Sequence, residues 1–101
     1  MRHVIASLVR FRSGLTDEEV QAKFEARAEA YERVPGLIEK LYLRYRTGEF
    51  GAIYVWEGEE ALAAFRASEL GRSIAGAYEV EGGEVDAELA DVTLVVRPAL
   101  V

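Results

Sequence analysis

Cysteine is absent from this 101-residue chain, histidine occurs once and proline twice. Without a thiol there can be no disulfide, thiolate metal site or cysteine nucleophile. A single imidazole, His3, leaves no histidine cluster, so no stably bound metal, haem or other cofactor is expected. No apolar run approaches the roughly 18 residues of a membrane span, and the apolar stretch within MRHVIASLVRF is too brief for a signal-peptide core. Basic groups are also in short supply, 12 against 18 acidic ones, for a formal net charge of −6. That balance works against non-specific contact with phosphate backbones or anionic membranes. The expectation is a cytoplasmic protein with no nucleic-acid and no membrane partner. The glycines form no phosphate-binding fingerprint, because no strand leads into a glycine-rich loop and helix at the required spacing.

What is present is apolar and patterned. Half of the residues are hydrophobic and 10% are aromatic, enough for the core of one domain spanning 1–101. Residues 3–11 place Ile5, Val9 and Phe11 on one strand face and Val4, Ala6 and Leu8 on the other, so both faces are expected to be covered. Thr16 with Glu19 forms a capping box, and Asp17 and Glu18 suit the positive end of the helix that follows. Val20, Phe24, Ala28 and Tyr31 then recur at helical spacing until Pro35-Gly36 ends the helix. LIEKLYLRYR reads as a second strand, with Leu37, Leu41, Leu43 and Tyr45 on one face and Ile38, Lys40, Tyr42, Arg44 and Arg46 on the other. Gly48 and Gly51 bracket a hairpin loop of about five residues. AIYVWE forms the third strand, with Ala52, Tyr54 and Trp56 sharing a face, and GEEALAAFRAS the second helix, begun by Gly58. Ser68 to Tyr78 reads as a short helical turn and a loop, and Val85 to Val96 as a long last strand that Pro98 ends.

The order β-α-β-β-α-β predicts an α+β fold: a ferredoxin-like antiparallel sheet with two helices on one face. Strands apolar on both faces, with only two long helices to cover them, predict a homodimer packed through the free sheet face. The acidic residues Glu79, Glu81, Glu84, Asp86, Glu88 and Asp91 read as a solvated edge. Lys40, Arg44 and Arg46 are expected to pair with those carboxylates across the dimer.

Three segments carry a family resemblance: Val34-Pro35-Gly36-Leu37, Gly51-Ala52-Ile53-Tyr54-Val55-Trp56-Glu57 and Glu60-Ala61-Leu62-Ala63-Ala64-Phe65. With them the chain resembles the dimeric α/β-barrel proteins related to antibiotic-biosynthesis monooxygenases, above all the small monooxygenase-like proteins of YdhR type. The resemblance implies a dimeric α/β barrel and a cavity between sheet and helices. Quinol-oxidising members keep a tryptophan at the position of Trp56, but their asparagine and tyrosine correspond here to Ala52 and Leu62, and their helix arginine only approximately to Arg72. Haem-degrading members use an asparagine, a tryptophan and a histidine where this chain has Ser7, Phe65 and Ala75, which argues against that chemistry.

The resulting expectation is a cofactor-independent monooxygenase, or a related isomerase, acting on a small aromatic or quinone-like compound. The alternative is a dimer that binds a small apolar or aromatic ligand without transforming it. His3, at a strand start on the alternation of Ile5 and Ser7, is the candidate general base, and Trp56 the second catalytic candidate. Ser7, Phe24, Tyr31, Tyr54, Phe65 and Arg72 are the candidate substrate-binding residues. Two aromatics on one strand serve equally well as core, each burial worth roughly 1.5–3 kcal/mol.

Overall fold

In the computed structural model, which describes residues 4–99, the chain folds as one four-stranded antiparallel sheet with its helices on one side. The elements run β1 (Ile5–Phe11), α1 (Asp17–Tyr31), β2 (Leu37–Arg44), β3 (Phe50–Trp56), α2 (Glu59–Ala67), α3 (Glu69–Arg72), α4 (Ile74–Ala77) and β4 (Asp86–Asp91). The strand order β2-β3-β1-β4 is that of a ferredoxin-like sheet. The outer strands β2 and β4 are the edges.

Local chemistry starts and stops these elements as the sequence predicts. The Thr16 backbone N–H donates to the Glu19 carboxylate at 3.0 Å, and the Glu19 N–H donates to the Thr16 hydroxyl at 3.2 Å, completing the capping box. The Thr16 contacts hold the Glu19 carboxyl below the ordinary carboxylate range. Gly36 turns the chain at φ +78°, and a Cβ there would lie 2.4 Å from the Ala61 Cβ. Only glycine permits both the left-handed backbone and this approach of α2.

The register assigns the faces. Ile5 pairs with Trp56, Ser7 with Tyr54, Val9 with Ala52 and Phe11 with Phe50, and all of these face the helices. Two buried clusters fill that side. One gathers Ile5, Tyr31, Ala52, Tyr54, Trp56, Leu62 and Phe65. The other gathers Phe11, Val20, Phe24, Phe50, Tyr78 and Val80. On the opposite face Leu8, Ile53 and Leu41 stand in one cross-strand row, and Leu41 remains 44% exposed.

Four details differ from the sequence expectation. A bulge between Leu37 and Glu39 re-aims the start of β2. Leu37 thereby pairs with Trp56 and packs on the core, while Ile38 stays exposed. Gly51 belongs to β3 rather than to the hairpin loop, because Val9 of β1 comes so close that a Cβ would meet its carbonyl oxygen. The segment expected as a turn and loop after Ser68 holds two short helices, α3 and α4; the Ser68 hydroxyl accepts from the Gly71 N–H at the start of the first. Finally, β4 ends at Asp91 instead of Val96. Val92 still donates at 3.0 Å to the carbonyl of Val4, the first of the described residues. Leu94, Val95 and Val96 are left 57–79% exposed.

The basic residues of β2 also depart from the cross-dimer pairing expected of them. Arg44 bonds Asp17 at the start of α1 within the same chain. Lys40 faces inward, paired in register with Tyr54.

Candidate functional site

A cavity of about 250 Å³ lies between the sheet and the segment running from α2 to α4. From the sheet, β1 contributes Ser7 and Val9, and β3 contributes Tyr54 and Trp56. Alternation on a strand explains why Tyr54 and Trp56 face the same way. Their rings stack, 5.7 Å apart and inclined by 8°. The helix side brings Leu62, Phe65 and Arg66 from α2, whose spacing puts 62 and 66 on one helix face. Gly71, Arg72, Ile74 and Ala75 follow from the short helices, Val85 from the approach to β4 and Ala87 from β4 itself. Phe65 meets both stacked rings, 5.7 Å from Tyr54 and 5.3 Å from Trp56. A more open depression of about 770 Å³ near Pro35, Gly36 and Ala61 has Glu57, Glu59 and Glu60 in its wall and no aromatic ring, so it offers nothing to stack on an aromatic ligand.

The polar features of this cavity are few and specific. Ser7 is buried in its wall. Trp56 is fully buried, yet its indole N–H has no hydrogen-bond partner. A buried donor left unmet costs about 1–3 kcal/mol. Burial first, then the neighbouring Tyr31, Tyr42 and Tyr78 phenols, push the Tyr54 pKa upward, so Tyr54 stays a neutral phenol. Arg72 and Arg66 bring two guanidinium groups to the mouth. The arrangement is an apolar slot walled by an indole whose buried N–H is unmet, with positive charge at its opening, a pattern suited to a flat aromatic ligand.

Of the residues singled out in the sequence, Ser7, Tyr54, Trp56, Phe65 and Arg72 come together around this cavity. His3 lies outside the described residues. Phe24 and Tyr31 do not line it: they pack around an interstice of only about 10 Å³ with Phe11, Tyr42 and Tyr78. Ile74 of α4 explains the separation. It borders both spaces and packs against both clusters, dividing what the sequence reading takes as one chamber. Arg66, Ile74, Ala75, Val85 and Ala87 are lining residues not singled out for this cavity. The i to i+4 step from Leu62 identifies Arg66; nothing in the pattern of residues 68–87 announces the others.

No protein-family profile matches the chain, and no curated protein matches it. Solved structures do. A cofactor-independent oxygenase from Streptomyces nogalater superposes with a TM-score of 0.67 at 22% identity over 97% of each chain. A heme-degrading protein from Mycobacterium tuberculosis does so at 0.72 and 21%, over 97% of this chain and 100% of its own. A dimeric ferredoxin-like protein of unknown function from Thermobifida fusca gives 0.72 at 14%, over 91% and 93%. These likenesses establish the ferredoxin-like α+β fold. Among the described residues no group of three or more His, Asp or Glu side chains is placed to hold a metal ion, and no helix is long and apolar enough to cross a membrane.

Proposed function

We propose that the chain is a cofactor-independent oxygenase of a small phenolic or quinol-like aromatic, bound in the Trp56 cavity. One observation carries the reading: a fully buried indole N–H without a partner, in the wall of an apolar aromatic slot whose mouth holds two arginines. A substrate oxygen meets the Trp56 N–H, the ring lies against the Tyr54–Trp56 stack, and Arg72 favours the phenolate over the phenol. The phenolate supplies the electrons to dioxygen. A ring C–H is replaced by C=O, one oxygen atom enters the quinone, and the other leaves as water with the two displaced protons. The protein's part is to bind the substrate in a dry slot and favour its anion. The similarity to the Streptomyces oxygenase supports this reading at the level of the fold. Ala75 offers no ligand atom where the haem-degrading pattern has histidine, which favours aromatic oxygenation over haem cleavage.

The assembly belongs to the same reading. The row Leu8, Ile53 and Leu41 on the uncovered face, with the exposed Leu94–Val96 segment beyond β4, fits a second copy of the chain packed through the sheet. Pure non-catalytic binding is the second reading. It is favoured by the lining itself, in which Tyr54 and the two arginines are the only titratable groups among the described residues and none is a base at neutral pH.

Titration of Trp56 fluorescence with a soluble hydroquinone or naphthol, alongside oxygen uptake, tests the function. Quenching with oxygen consumption that Trp56→Phe lowers at least about tenfold is expected. Quenching without oxygen uptake supports the binding reading instead. No quenching by any such compound removes both. Light scattering on the same sample should give twice the chain mass.

A further inference from the structure

On the far side of Tyr54 from the Trp56 cavity, Lys40 reaches in from β2 into a ring of three tyrosines. Its Nζ lies 3.2 Å from the ring centre of Tyr31, 4.2 Å from that of Tyr42 and 4.6 Å from that of Tyr54. No carboxylate lies within ion-pair distance of it among the described residues. A lysine in such a place is ordinarily paired, because an ammonium out of water without a counter-ion is costly.

Two further observations make this more than an awkward cation. First, Lys40, Tyr31 and Tyr42 all border a groove of about 380 Å³ at the α1–β2 edge. Second, the Tyr42 hydroxyl is buried with no hydrogen-bond partner, and the Tyr31 hydroxyl has only the neighbouring Tyr54 phenol to meet it. An unmet phenol and an amine with no counter-ion among the described residues therefore lie together at the groove. Burial first, then Arg27, brings the Lys40 pKa down to about 6, so at neutral pH far more of this amine carries a free lone pair than on an exposed lysine. The ring faces act in the opposite sense by favouring the ammonium, each by about 0.5–2 kcal/mol.

We propose that Lys40 is a reactive amine site that takes a small aromatic aldehyde from the α1–β2 groove and holds it as an imine. The amine lone pair adds to the carbonyl carbon and forms the C–N bond. The carbonyl oxygen takes one proton from the nitrogen, held meanwhile by the Tyr42 hydroxyl. The carbinolamine then loses that oxygen as water, and nitrogen gives up its remaining proton as the C=N bond forms. The step needs no oxidant or reductant and releases one water. The tyrosine rings select a flat aromatic body, and the carboxylates Glu32 and Glu39 on the groove rim disfavour an anionic one. This proposal does not rest on the oxygenase reading, although Tyr54 both lines the Trp56 cavity and faces Lys40.

The chain has only two lysines, and Lys23 is exposed on α1, so each preparation carries its own reference. The folded protein is incubated with benzaldehyde and cyanoborohydride at neutral pH, which reduces any imine to a benzylamine, and the adducts are located by peptide mass mapping. Lys40 should gain the benzyl group at least about tenfold faster than Lys23, and the preference should vanish in urea-unfolded protein. Lys23 reacting as fast as Lys40, no adduct on Lys40, or a preference that survives unfolding each overturns the proposal. Tyr42→Phe keeps the ring and removes one hydroxyl; it should slow Lys40 several-fold and leave Lys23 unchanged. An equal Lys40 rate in that variant refutes the role given to that phenol.

Discussion

Replacing Lys40 by methionine keeps an unbranched chain of similar length while removing the amine, and the structure dictates how stability should respond. In the folded protein the Lys40 pKa falls from 10.5 to about 6, chiefly through burial. A lowered pKa means the unfolded chain holds the extra proton between those two values. Stability contributed by the group is therefore fully present above the unfolded pKa and is lost as pH falls toward about 6. A change of that size corresponds to about 6 kcal/mol. The contacts with Tyr31, Tyr42 and Tyr54 return about 0.5–2 kcal/mol each to the charged form. With about 1 kcal/mol for each of the three contacts, a net effect on the order of 3 kcal/mol is expected across the window. The other groups facing Lys40 do not imitate it there. Burial raises the Tyr42, Tyr54 and Tyr78 hydroxyls above their ordinary range, so they stay neutral. Glu32 and Glu39 sit on the rim of the groove rather than in the ring. Urea unfolding of both proteins at several pH values from 6 to 10 measures the difference directly. Lys40→Met should gain most over the natural chain near pH 6, with the gap closing as pH rises. Parallel curves for the two proteins would show that Lys40 titrates normally, and the argument from burial would fail.

Gly36→Ala should destabilise the fold by about 1–3 kcal/mol in denaturant titration, since it adds a strained backbone at φ +78° to a Cβ collision with Ala61. A variant as stable as the natural chain would mean that α2 sits farther from this turn. Ile74→Ala should cost about 1–3 kcal/mol and join the Trp56 cavity to the interstice behind it. Aromatic ligands one ring larger should then quench Trp56 more strongly than they do in the natural protein, and unchanged ligand-size selectivity would show that Ile74 is not the partition.

The elements that local chemistry dictates are the ones the sequence makes legible. The capping box at Thr16, the turn at Gly36 and the alternation of Ala52, Tyr54 and Trp56 each depend on neighbours a few residues away, and all three appear as expected, although α1 already ends at Tyr31, ahead of Pro35. What depends on distant contacts is hidden. The bulge at Leu37/Glu39 moves Leu37 onto the core against Trp56, and no alternation rule marks where a strand will slip. Lys40 shows the same limit in reverse. Its charge marks it as a surface residue by type, and only the assembled Tyr31, Tyr42 and Tyr54 show that it points inward.

The cavity illustrates why a correct fold leaves a site half-drawn. Trp56, Tyr54 and Ser7 are fixed by strand register, which sequence periodicity encodes. Phe24 and Tyr31 have the right spacing on α1 to face the same chamber, and they do face the sheet. Two short helices, α3 and α4, intervene after Ser68 and set Ile74 between the two groups of aromatics. Helices of four residues have too few turns to leave a periodic signature. Because the partition comes from such a segment, it turns one sheet-and-helix sandwich into two chemically different spaces. One is an apolar slot with an indole donor and arginines at its mouth; the other is a ring of phenols around an amine. Val9, Tyr54 and Ile74 border both, and of these Tyr54 turns its ring toward Lys40 as well as toward the slot. A ligand that tilts Tyr54 in the slot must also change the ring surface that Lys40 meets, so that side chain couples the two spaces.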